Sequence, residues 1–365
     1  MPPNPFEPLS LRGYTLKNRF VAAPMATQYA DKRGLVTETM LAYYRHLTLT
    51  GVGMVVAEAA VISPEGPGWS RELNAYSEEA LPGLRQLAET IRERGAIPLL
   101  QLHHAGRQGL PSREHTQMVA PSPIPCPVLD RPVRALHPQE IKDLVRKFTD
   151  SARLAQDAGF AGVELHGAHG YLLHQFVSPL TNQRDDEYGL QRHAASRFPL
   201  EVVQSIRRAF PDLLISYRLS ARDYLPRGLT LQASCLLAKG LEGAGADLIS
   251  VSGGMYASLH GPESLVGPAT PYGVFRDDAR DIREAVSIPV AVAGKIQFPT
   301  LAHEIIANRD AHLIVLGRML LRDPAWIQKA QGLDRNPVRE CLLCPRCRFH
   351  SRGCPDGASR PTWNE

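Results

Sequence analysis

Residues 159–189 read GFAGVELHGAHGYLLHQFVSPLTNQRDDEYG, and this stretch decides how the rest of the chain is interpreted. An apolar run, FAGVEL, ends at His166, and His169, Tyr171 and His174 follow within the next eight residues. An apolar run of this length is typical of a buried strand, and a turn crowded with imidazole and phenol groups is typical of an active site. The stretch therefore predicts a reaction held at the end of a buried strand.

Seven further runs rich in Val, Ile and Leu bring the total to eight. They read NRFVAAPM, VGMVVAEAAV, AIPLLQLHH, LLISYRLS, ADLISVSGG, IPVAVAGK and HLIVLGR. Segments with helical periodicity lie between them, at 38–49, 80–94, 138–158, 197–209, 231–242 and 299–308. Apolar strands alternating with amphipathic helices indicate a parallel sheet covered by helices, and eight such units favour an α/β fold of the (β/α)8 TIM barrel type. An open doubly wound sheet is the alternative, but no GxGxxG turn follows the first run.

The composition is that of an ordinary folded protein. The 365 residues are 44% hydrophobic and 21% charged, with a formal net charge of +4 and basic residues scattered along the chain. These values argue against disordered and membrane classes, and they give no indication of nucleic-acid binding. The N-terminal stretch lacks a charged leader followed by an apolar core. We expect a cytoplasmic protein with a barrel domain over residues 1–335 and a short Cys-rich tail over 336–365.

Glycine followed by a basic residue ends each of the last two runs. In a barrel the carboxyl ends of the strands converge on one face, where active sites lie and where the loops after the last two strands often bind phosphate. Gly294 with Lys295 and Gly317 with Arg318 are therefore candidates for a phosphate site, because glycine lets backbone N–H groups approach the oxygens. A solvated surface cation after a turn glycine is the alternative at each position.

Other polar residues lie inside the apolar runs. Gln101 and Arg218 need partners if they are buried, and a planar cofactor with polar edges is one such partner. An internal salt bridge with Glu58 or Glu164 is the alternative. His166 and His169 are spaced so that both can donate to one substrate oxygen, with Tyr171 nearby as a proton donor. Here the alternatives are a core histidine bonded to the backbone and a pair of zinc ligands without an obvious third.

The motifs together resemble the old yellow enzyme family of FMN-dependent ene-reductases. The resemblance covers residues 5–330 and rests on APM, AYYRHLTLTGVGMVVAEAAVISPEG, QLHHAGRQ, APSPIP, the stretch 159–189, ISYRLSARDY and VLGRMLLRDP. It implies FMN as cofactor, NAD(P)H as reductant, a small unsaturated carbonyl compound as substrate, and a homo-oligomer. In the implied reaction the β-carbon of an enone, enal or enoyl or dienoyl thioester receives hydride and the α-carbon receives a proton.

The resemblance also implies a role for each matching residue. His166 and His169 match the pair that binds the carbonyl oxygen, and Tyr171 matches the proton donor. The positions that match the flavin ring are Pro24, Met25, Ala26, Ala59, Gln101 and Arg218, and those that match the phosphate end are Gly294, Lys295, Gly317 and Arg318. Ala26 departs from the Cys or Thr that many members have beside the flavin. An amine dehydrogenase-like or demethylating enzyme and a non-catalytic flavin or metal redox sensor are the rival functions.

The tail contains four closely spaced cysteines. It reads ECLLCPRCRFHSRGCPDG, with Cys341, Cys344, Cys347 and Cys354 as candidate metal ligands. The segment resembles the [4Fe–4S] region of the dienoyl-CoA reductase and trimethylamine dehydrogenase branch of the same family, although the gap to the fourth cysteine is shorter here. A structural zinc site with four cysteine ligands is the alternative. A cluster predicts electrons from a separate electron-transfer protein, whereas zinc favours direct reduction by NAD(P)H.

Overall fold

A computed structural model describes residues 2–113, 115–190, 197–260, 264–265, 267–343 and 354. Its strands, in chain order, are β1 (Leu9–Leu11), β2 (Tyr14–Leu16), β3 (Phe20–Ala22), β4 (Met54–Val61), β5 (Leu73–Asn74), β6 (Ile97–His103), β7 (Met118–Ala120), β8 (Val133–Ala135), β9 (Gly162–Gly167), β10 (Leu214–Ser220), β11 (Leu248–Ser252), β12 (Val290–Val292) and β13 (Leu313–Leu316). Each of the eight apolar runs contains one strand of the barrel.

The barrel is closed and parallel throughout. Its order is β3, β4, β6, β9, β10, β11, β12 and β13, and β13 pairs back onto β3. Closure excludes the open doubly wound sheet and confirms the α/β TIM barrel. The register places Gln101 beside Glu164 and His166 beside Arg218, so the polar residues of neighbouring strands lie at similar heights.

Helices cover the outside of the barrel. They are α1 (Glu38–Thr48), α2 (Leu81–Arg92), α3 (Pro138–Asp157), α4 (Leu172–Gln175), α5 (Arg197–Ala209), α6 (Leu231–Ala244), α7 (Tyr256–Leu259), α8 (Arg276–Ala285), α9 (Pro299–Ala307), α10 (Arg318–Arg322) and α11 (Trp326–Ala330). The six predicted helices are confirmed to within two residues at each end. Helix α8 was not predicted because RDDARDIREA contains few apolar residues, although Ala279 and Ile282 have helical spacing and are buried.

The barrel interior is filled at its amino-terminal end. Inward-facing residues such as Met54, Leu99 and Leu313 form one apolar cluster with Leu11 and Leu16 of the β1–β2 hairpin. A larger cluster lies between the barrel and the helices. Because the hairpin packs into the amino-terminal end, a ligand has room only at the carboxyl ends of the strands, as is usual for this fold.

Gly162 at the start of β9 provides a test of barrel packing. A Cβ atom at this position would lie 2.1 Å from the carbonyl oxygen of Leu214 on β10. Because that oxygen belongs to the backbone of a paired strand, Gly162→Ala is expected to lower the free energy of unfolding by about 3 kcal/mol. Urea unfolding followed by circular dichroism measures this change.

The matched control for this substitution is Gly243→Ala in helix α6. Gly243 is exposed, and no atom lies within 4 Å of its added Cβ. Alanine should therefore raise stability there by about 1 kcal/mol, through its better helix propensity. Equal changes at the two positions would contradict the packing argument.

Candidate active site

A cavity of about 420 Å³ opens at the carboxyl ends of the barrel strands. This volume is in the range of small-molecule and cofactor sites. The predicted residues that line it are Met25, Ala26, His169, Tyr171, Arg218, Gly294, Lys295, Gly317 and Arg318. The predicted residues Pro24, Ala59, Gln101 and His166 are not among those that line it, and the last three are buried beside it in the strands.

Two cations and two glycines lie on the side of the cavity formed by β12 and β13. The ammonium of Lys295 donates to the carbonyl oxygens of Gly267 and Pro268, at 2.9 and 3.3 Å, and lies over the ring of Tyr272. Its pKa is lowered, first by burial and then by the charge of Arg318. Lys295 is therefore not a simple solvated surface cation. An added Cβ at Gly317 would lie 3.1 Å from the sulfur of Met25, so a side chain at this position would crowd Met25 in the cavity.

The buried polar residues Gln101 and Arg218 differ in their partners. Gln101 donates a hydrogen bond to Glu164 at 2.8 Å, so it has a partner within the protein. Arg218 has only 7% of its surface exposed, and its Nη1 has no hydrogen-bond partner. Among the described residues no carboxylate forms an ion pair with Arg218. Burial lowers the pKa of Arg218, and the charge of Glu164 opposes this shift. A buried guanidinium nitrogen without a partner is costly, which indicates that a ligand completes this part of the site.

Glu58 fixes the segment that follows β3. The pairing of β4 with β6 shifts register between Ala57 and Ala59, and such a bulge redirects the intervening side chain. The Glu58 carboxylate accepts hydrogen bonds from the backbone N–H and hydroxyl of Thr27, at 2.9 and 2.5 Å. Thr27 directly follows Met25 and Ala26, so Glu58 holds the segment that carries these two cavity residues.

A pH dependence of stability follows from the burial of Glu58. Burial raises its pKa to about 7 from an ordinary 4.5, with the Thr27 bonds opposing this shift. Between these two pH values the folded state holds more protons than the unfolded state, so its stability falls as the pH rises and levels off above the folded pKa. The expected loss is about 3 kcal/mol. Urea unfolding across this range should show a shallower fall in Glu58→Gln than in the unsubstituted protein, and parallel curves would contradict the assignment.

His166 and His169 meet at the end of β9. Their ring centroids are 5.2 Å apart and their planes nearly perpendicular. The Nε2 atom of His169 lies 2.8 Å from the hydroxyl of Ser252, and Nδ1 of His166 is buried without a partner. Burial, followed by the charges of neighbouring basic groups, lowers the pKa of both histidines well below its usual value. Both rings are therefore neutral at neutral pH, and each offers one N–H donor.

Tyr171 lines the cavity together with His169 and packs against His166. Its ring centroid is 4.8 Å from that of His166 and 4.4 Å from that of His103. Its pKa is raised well above the usual value, first by burial and then by Tyr256, with which its side chain also hydrogen-bonds. Tyr171 therefore keeps its proton at neutral pH, as a proton donor must.

His174 supports the turn that carries His169 and Tyr171. The Nδ1 atom of His174 accepts from the backbone N–H of Gly170 at 2.8 Å, and Nε2 lies 2.8 Å from a carboxylate oxygen of Asp223. Both His169 and Gly170 have positive φ, so the backbone turns sharply here. His174 thus supports the turn and is not among the residues that line the cavity.

Known proteins share both the sequence pattern and the fold of this chain. The sequence matches the NADH:flavin oxidoreductase / NADH oxidase family over residues 5–336. The structure is similar to that of the old yellow enzyme homologue from Zymomonas mobilis, with a TM-score of 0.76 and 25% identity over 92% of this chain and 94% of that one. The chain belongs to the old yellow enzyme family. The members of this family are NAD(P)H-dependent flavin oxidoreductases, so the resemblance seen in the sequence is confirmed.

Relatives in the old yellow enzyme family fall into two lengths. The chain is 39% identical to an NADH oxidase of Thermoanaerobacter brockii over 94% of its own length and 53% of that protein. It is 36% identical to an NADPH dehydrogenase of Geobacillus sp. strain WCH70, over 88% and 92% respectively. A 2-naphthoyl-CoA reductase structure is similar with a TM-score of 0.87 and 26% identity, over 94% of this chain and 54% of that one. The chain thus spans about half the length of some relatives and most of others.

The described residues fit FMN, the cofactor that the old yellow enzyme family implies. Arg218 leaves a buried nitrogen without a partner, as expected beside a polar ring edge. Lys295 and Arg318 supply positive charge at the other side of the cavity, beside the backbone of Gly294 and Gly317. Arg218 therefore suits a planar ring at one end of the cavity. Lys295 and Arg318 suit a phosphate at the other end.

Several cavity residues were not among the predicted site residues. They are Trp69, Ser252, Tyr256, His260 and Gln297, and Cys341, predicted as a metal ligand of the tail, also lines the cavity. Ser252 follows its apolar run in the same way as His166, so its position at a strand end was the available signal. Trp69 lies on a loop with no periodic pattern around it, and only the closed barrel brings it beside Tyr171, with ring centroids 5.9 Å apart.

The tail is described as far as residue 343 and again at Cys354, so Cys344 and Cys347 lie outside the described residues. The backbone N–H of Cys341 donates to the side-chain oxygen of Gln297 at 2.9 Å, and Gln297 donates back to the Cys341 carbonyl at 3.1 Å. The Cys354 sulfur accepts from Arg322 at 3.8 Å. The described residues contain no group of three or more metal-ligating side chains, and none of the described helices is long and apolar enough to cross a bilayer.

Proposed function

We propose that the protein reduces the C=C bond of α,β-unsaturated carbonyl compounds with FMN as cofactor and NAD(P)H as reductant. One observation carries the proposal. The neutral imidazole of His169, the protonated phenol of Tyr171 and the unpaired guanidinium of Arg218 line the same cavity. A carbonyl oxygen needs neutral or positive donors, and the α-carbon needs an acid that is still protonated at neutral pH.

In this proposal the predicted residues keep their assigned roles. Arg218 and Gln101 contact the flavin ring from the strands, with Pro24, Met25, Ala26 and Ala59 around it. Gly294, Lys295, Gly317 and Arg318 bind the phosphate. Bound FMN supplies the hydride that the β-carbon accepts. The catalytic work of the chain itself belongs to His166, His169 and Tyr171.

The two histidines bind and polarise the substrate. Each donates its single N–H to the carbonyl oxygen, on which negative charge builds as the β-carbon is reduced. The bond between His169 and Ser252 supports this role, because it fixes the orientation of the ring. Tyr171 holds its proton on the phenolic oxygen and delivers it to the α-carbon.

Enone turnover tests the proposal directly. Holoprotein, NADPH or NADH, and 2-cyclohexenone are mixed without oxygen, and the saturated ketone is quantified by gas chromatography. We expect one NAD(P)H to be oxidised for each enone molecule that is reduced. If NAD(P)H bleaches the flavin but no enone, enal or enoyl thioester is consumed, the proposal fails and a redox sensor or an amine-oxidising enzyme gains support.

We further propose that residues 336–365 form a metal-binding tail with Cys341, Cys344, Cys347 and Cys354 as ligands to a [4Fe–4S] cluster. The support is the position of Cys341 at the edge of the cavity, tied to Gln297, because a cluster near the flavin can exchange electrons with it. Metal analysis of anaerobically purified protein decides the matter. Iron with acid-labile sulfide supports the cluster, zinc alone supports a structural site, and neither metal refutes the tail assignment.

A further inference from the structure

Tyr256 is a second tyrosine of the cavity, and it contacts the proposed proton donor directly. The side chains of Tyr171 and Tyr256 are joined by a hydrogen bond. Their ring centroids are 5.9 Å apart, and the angle between the ring planes is 74°. Among the described residues these two are the tyrosines that line the cavity. The hydroxyl of Tyr256 is therefore placed to act on the oxygen of Tyr171.

The two tyrosines differ in their exposure. Tyr171 has 5% of its surface exposed, whereas Tyr256, the first residue of helix α7, is half-buried. The ring of His260 lies 4.4 Å from that of Tyr256, and His260 is exposed while it also lines the cavity. The contacts therefore run from an exposed residue, through Tyr256, to the buried Tyr171.

The surroundings favour negative charge on Tyr256 over negative charge on Tyr171. Burial is the first cause that raises the pKa of both phenols, and the pKa of Tyr171 lies well above its usual value. The hydrogen bond between the two side chains raises the pKa of Tyr171 further and lowers that of Tyr256. The charge of Arg131 also lowers the pKa of Tyr256, whereas Glu72 and Cys126 raise the pKa of both phenols. A proton on Tyr256 is therefore readily given to a phenolate at Tyr171.

We propose that Tyr256 is a positioning residue for Tyr171, whose hydroxyl stabilises the Tyr171 oxygen as the proton leaves and then returns a proton to it. This inference rests on the proposed function, in which Tyr171 protonates the substrate. Tyr171 gives its only O–H to the α-carbon, so at that moment its oxygen is the acceptor and Tyr256 the donor. A hydrogen bond to an ionised oxygen is roughly twice as strong as one between neutral groups, so the bond strengthens as the phenolate forms.

The proton transfers balance at each oxygen. The Tyr171 O–H bond breaks as the C–H bond forms at the α-carbon, and its electron pair stays on the Tyr171 oxygen. The Tyr256 O–H bond then breaks as a new O–H bond forms on Tyr171, which moves the negative charge to Tyr256. Water that enters after product release gives a proton to Tyr256, and hydroxide leaves with the solvent.

The test compares Tyr256→Phe with the unsubstituted holoprotein in stopped-flow measurements without oxygen. Phenylalanine keeps the ring contacts with Tyr171 and His260 and removes only the hydroxyl. Reduction of saturating 2-cyclohexenone should slow about tenfold, the cost of one hydrogen bond to a charged group. The dissociation constant of the enone and the rate of flavin bleaching by NADPH should be unchanged, because neither depends on the Tyr171 phenolate.

A double variant shows whether Tyr256 acts through Tyr171. When Tyr171 is already phenylalanine, removal of the Tyr256 hydroxyl should cause no further slowing, because no phenolate forms for it to stabilise. Further slowing in the double variant would overturn the inference. Weaker enone binding as the sole effect of Tyr256→Phe would also overturn it, because Tyr256 would then contact the substrate and not act through Tyr171.

Tyr224→Phe is the matched control for the loss of a bonded tyrosine hydroxyl. The hydroxyl of Tyr224 donates to Asp278, and Tyr224 does not line the cavity. Both steps should keep their rates in this variant. Equal slowing of enone reduction in Tyr224→Phe and Tyr256→Phe would show a general effect of losing such a bond and would refute the inference.

The remaining outcomes separate this inference from the proposed function. If the unsubstituted protein reduces no enone, the proposed function fails and the inference fails with it. If it reduces enones and Tyr256→Phe keeps the full rate, only the inference is overturned. FMN absorbance after gel filtration shows that a variant is folded, and Tyr256→Met replaces Tyr256→Phe if the latter loses FMN. Loss of FMN from both variants would make Tyr256 a structural residue and would overturn the inference.

Discussion

Replacing His169 with alanine is expected to slow enone reduction about a hundredfold, which corresponds to the loss of one donor to a developing oxyanion, about 3 kcal/mol. The reason is the neutral state of the ring, which leaves one N–H to donate, and its fixed orientation beside Ser252. Flavin bleaching by NADPH should be nearly unchanged, because this step requires no bond to a substrate carbonyl. Stopped-flow absorbance without oxygen separates the two steps.

His166→Ala serves as the comparison for this variant. Unlike His169, His166 has a buried ring nitrogen without a partner, and it is not among the residues that line the cavity. It too should impair enone reduction while FMN stays bound. Loss of FMN from both variants, seen as colourless protein after gel filtration, would indicate that the histidines maintain the structure and do not polarise the substrate.

Tyr171→Phe is expected to slow proton delivery to the α-carbon by about 10² to 10⁴, the usual contribution of a general acid. Phenylalanine preserves the ring contacts with His103, His166 and Trp69, so the packing should survive. Enone reduction should slow by this factor while flavin bleaching by NADPH continues at the original rate.

Tyr217→Phe is the matched control for this substitution. Tyr217 is a buried tyrosine of β10 that does not line the cavity, and its hydroxyl has no hydrogen-bond partner. Removing that hydroxyl should leave both steps nearly unchanged and should not lower the stability, because no hydrogen bond is lost. An equal slowing of the two steps in Tyr171→Phe would argue against a role in proton donation.

The fold was largely predictable because the signals for it are local. Each barrel strand coincides with a run of Val, Ile and Leu, and six helices begin and end near the limits that their apolar spacing predicts. Where the local signal was weak, the prediction failed. Helix α8 is rich in Asp and Arg, and its few apolar residues, Ala279 and Ile282 among them, were too sparse to mark it as a helix.

The site was predictable only in part. The strand-end motifs and the family resemblance singled out His169, Tyr171 and Arg218, which line one cavity in the structure, and His166, which is buried beside it. They did not show that Gln101 bonds to Glu164 while Arg218 keeps a nitrogen without a partner. Hydrogen-bond partners depend on strand register, and a sequence read segment by segment carries no direct record of which residues face one another across a sheet.

The sequence by itself determined the barrel, the family and the place of the stretch 159–189 at a strand end, because these depend on periodicity and on residues that are neighbours in the chain. The tertiary structure decided the protonation states and the positioning contacts: the neutral rings of His166 and His169, the bulge that turns Glu58 toward Thr27, and the bond from Gly170 to His174. The physical reason is that burial and hydrogen bonding set these properties, and both arise only when barrel closure brings distant residues into contact.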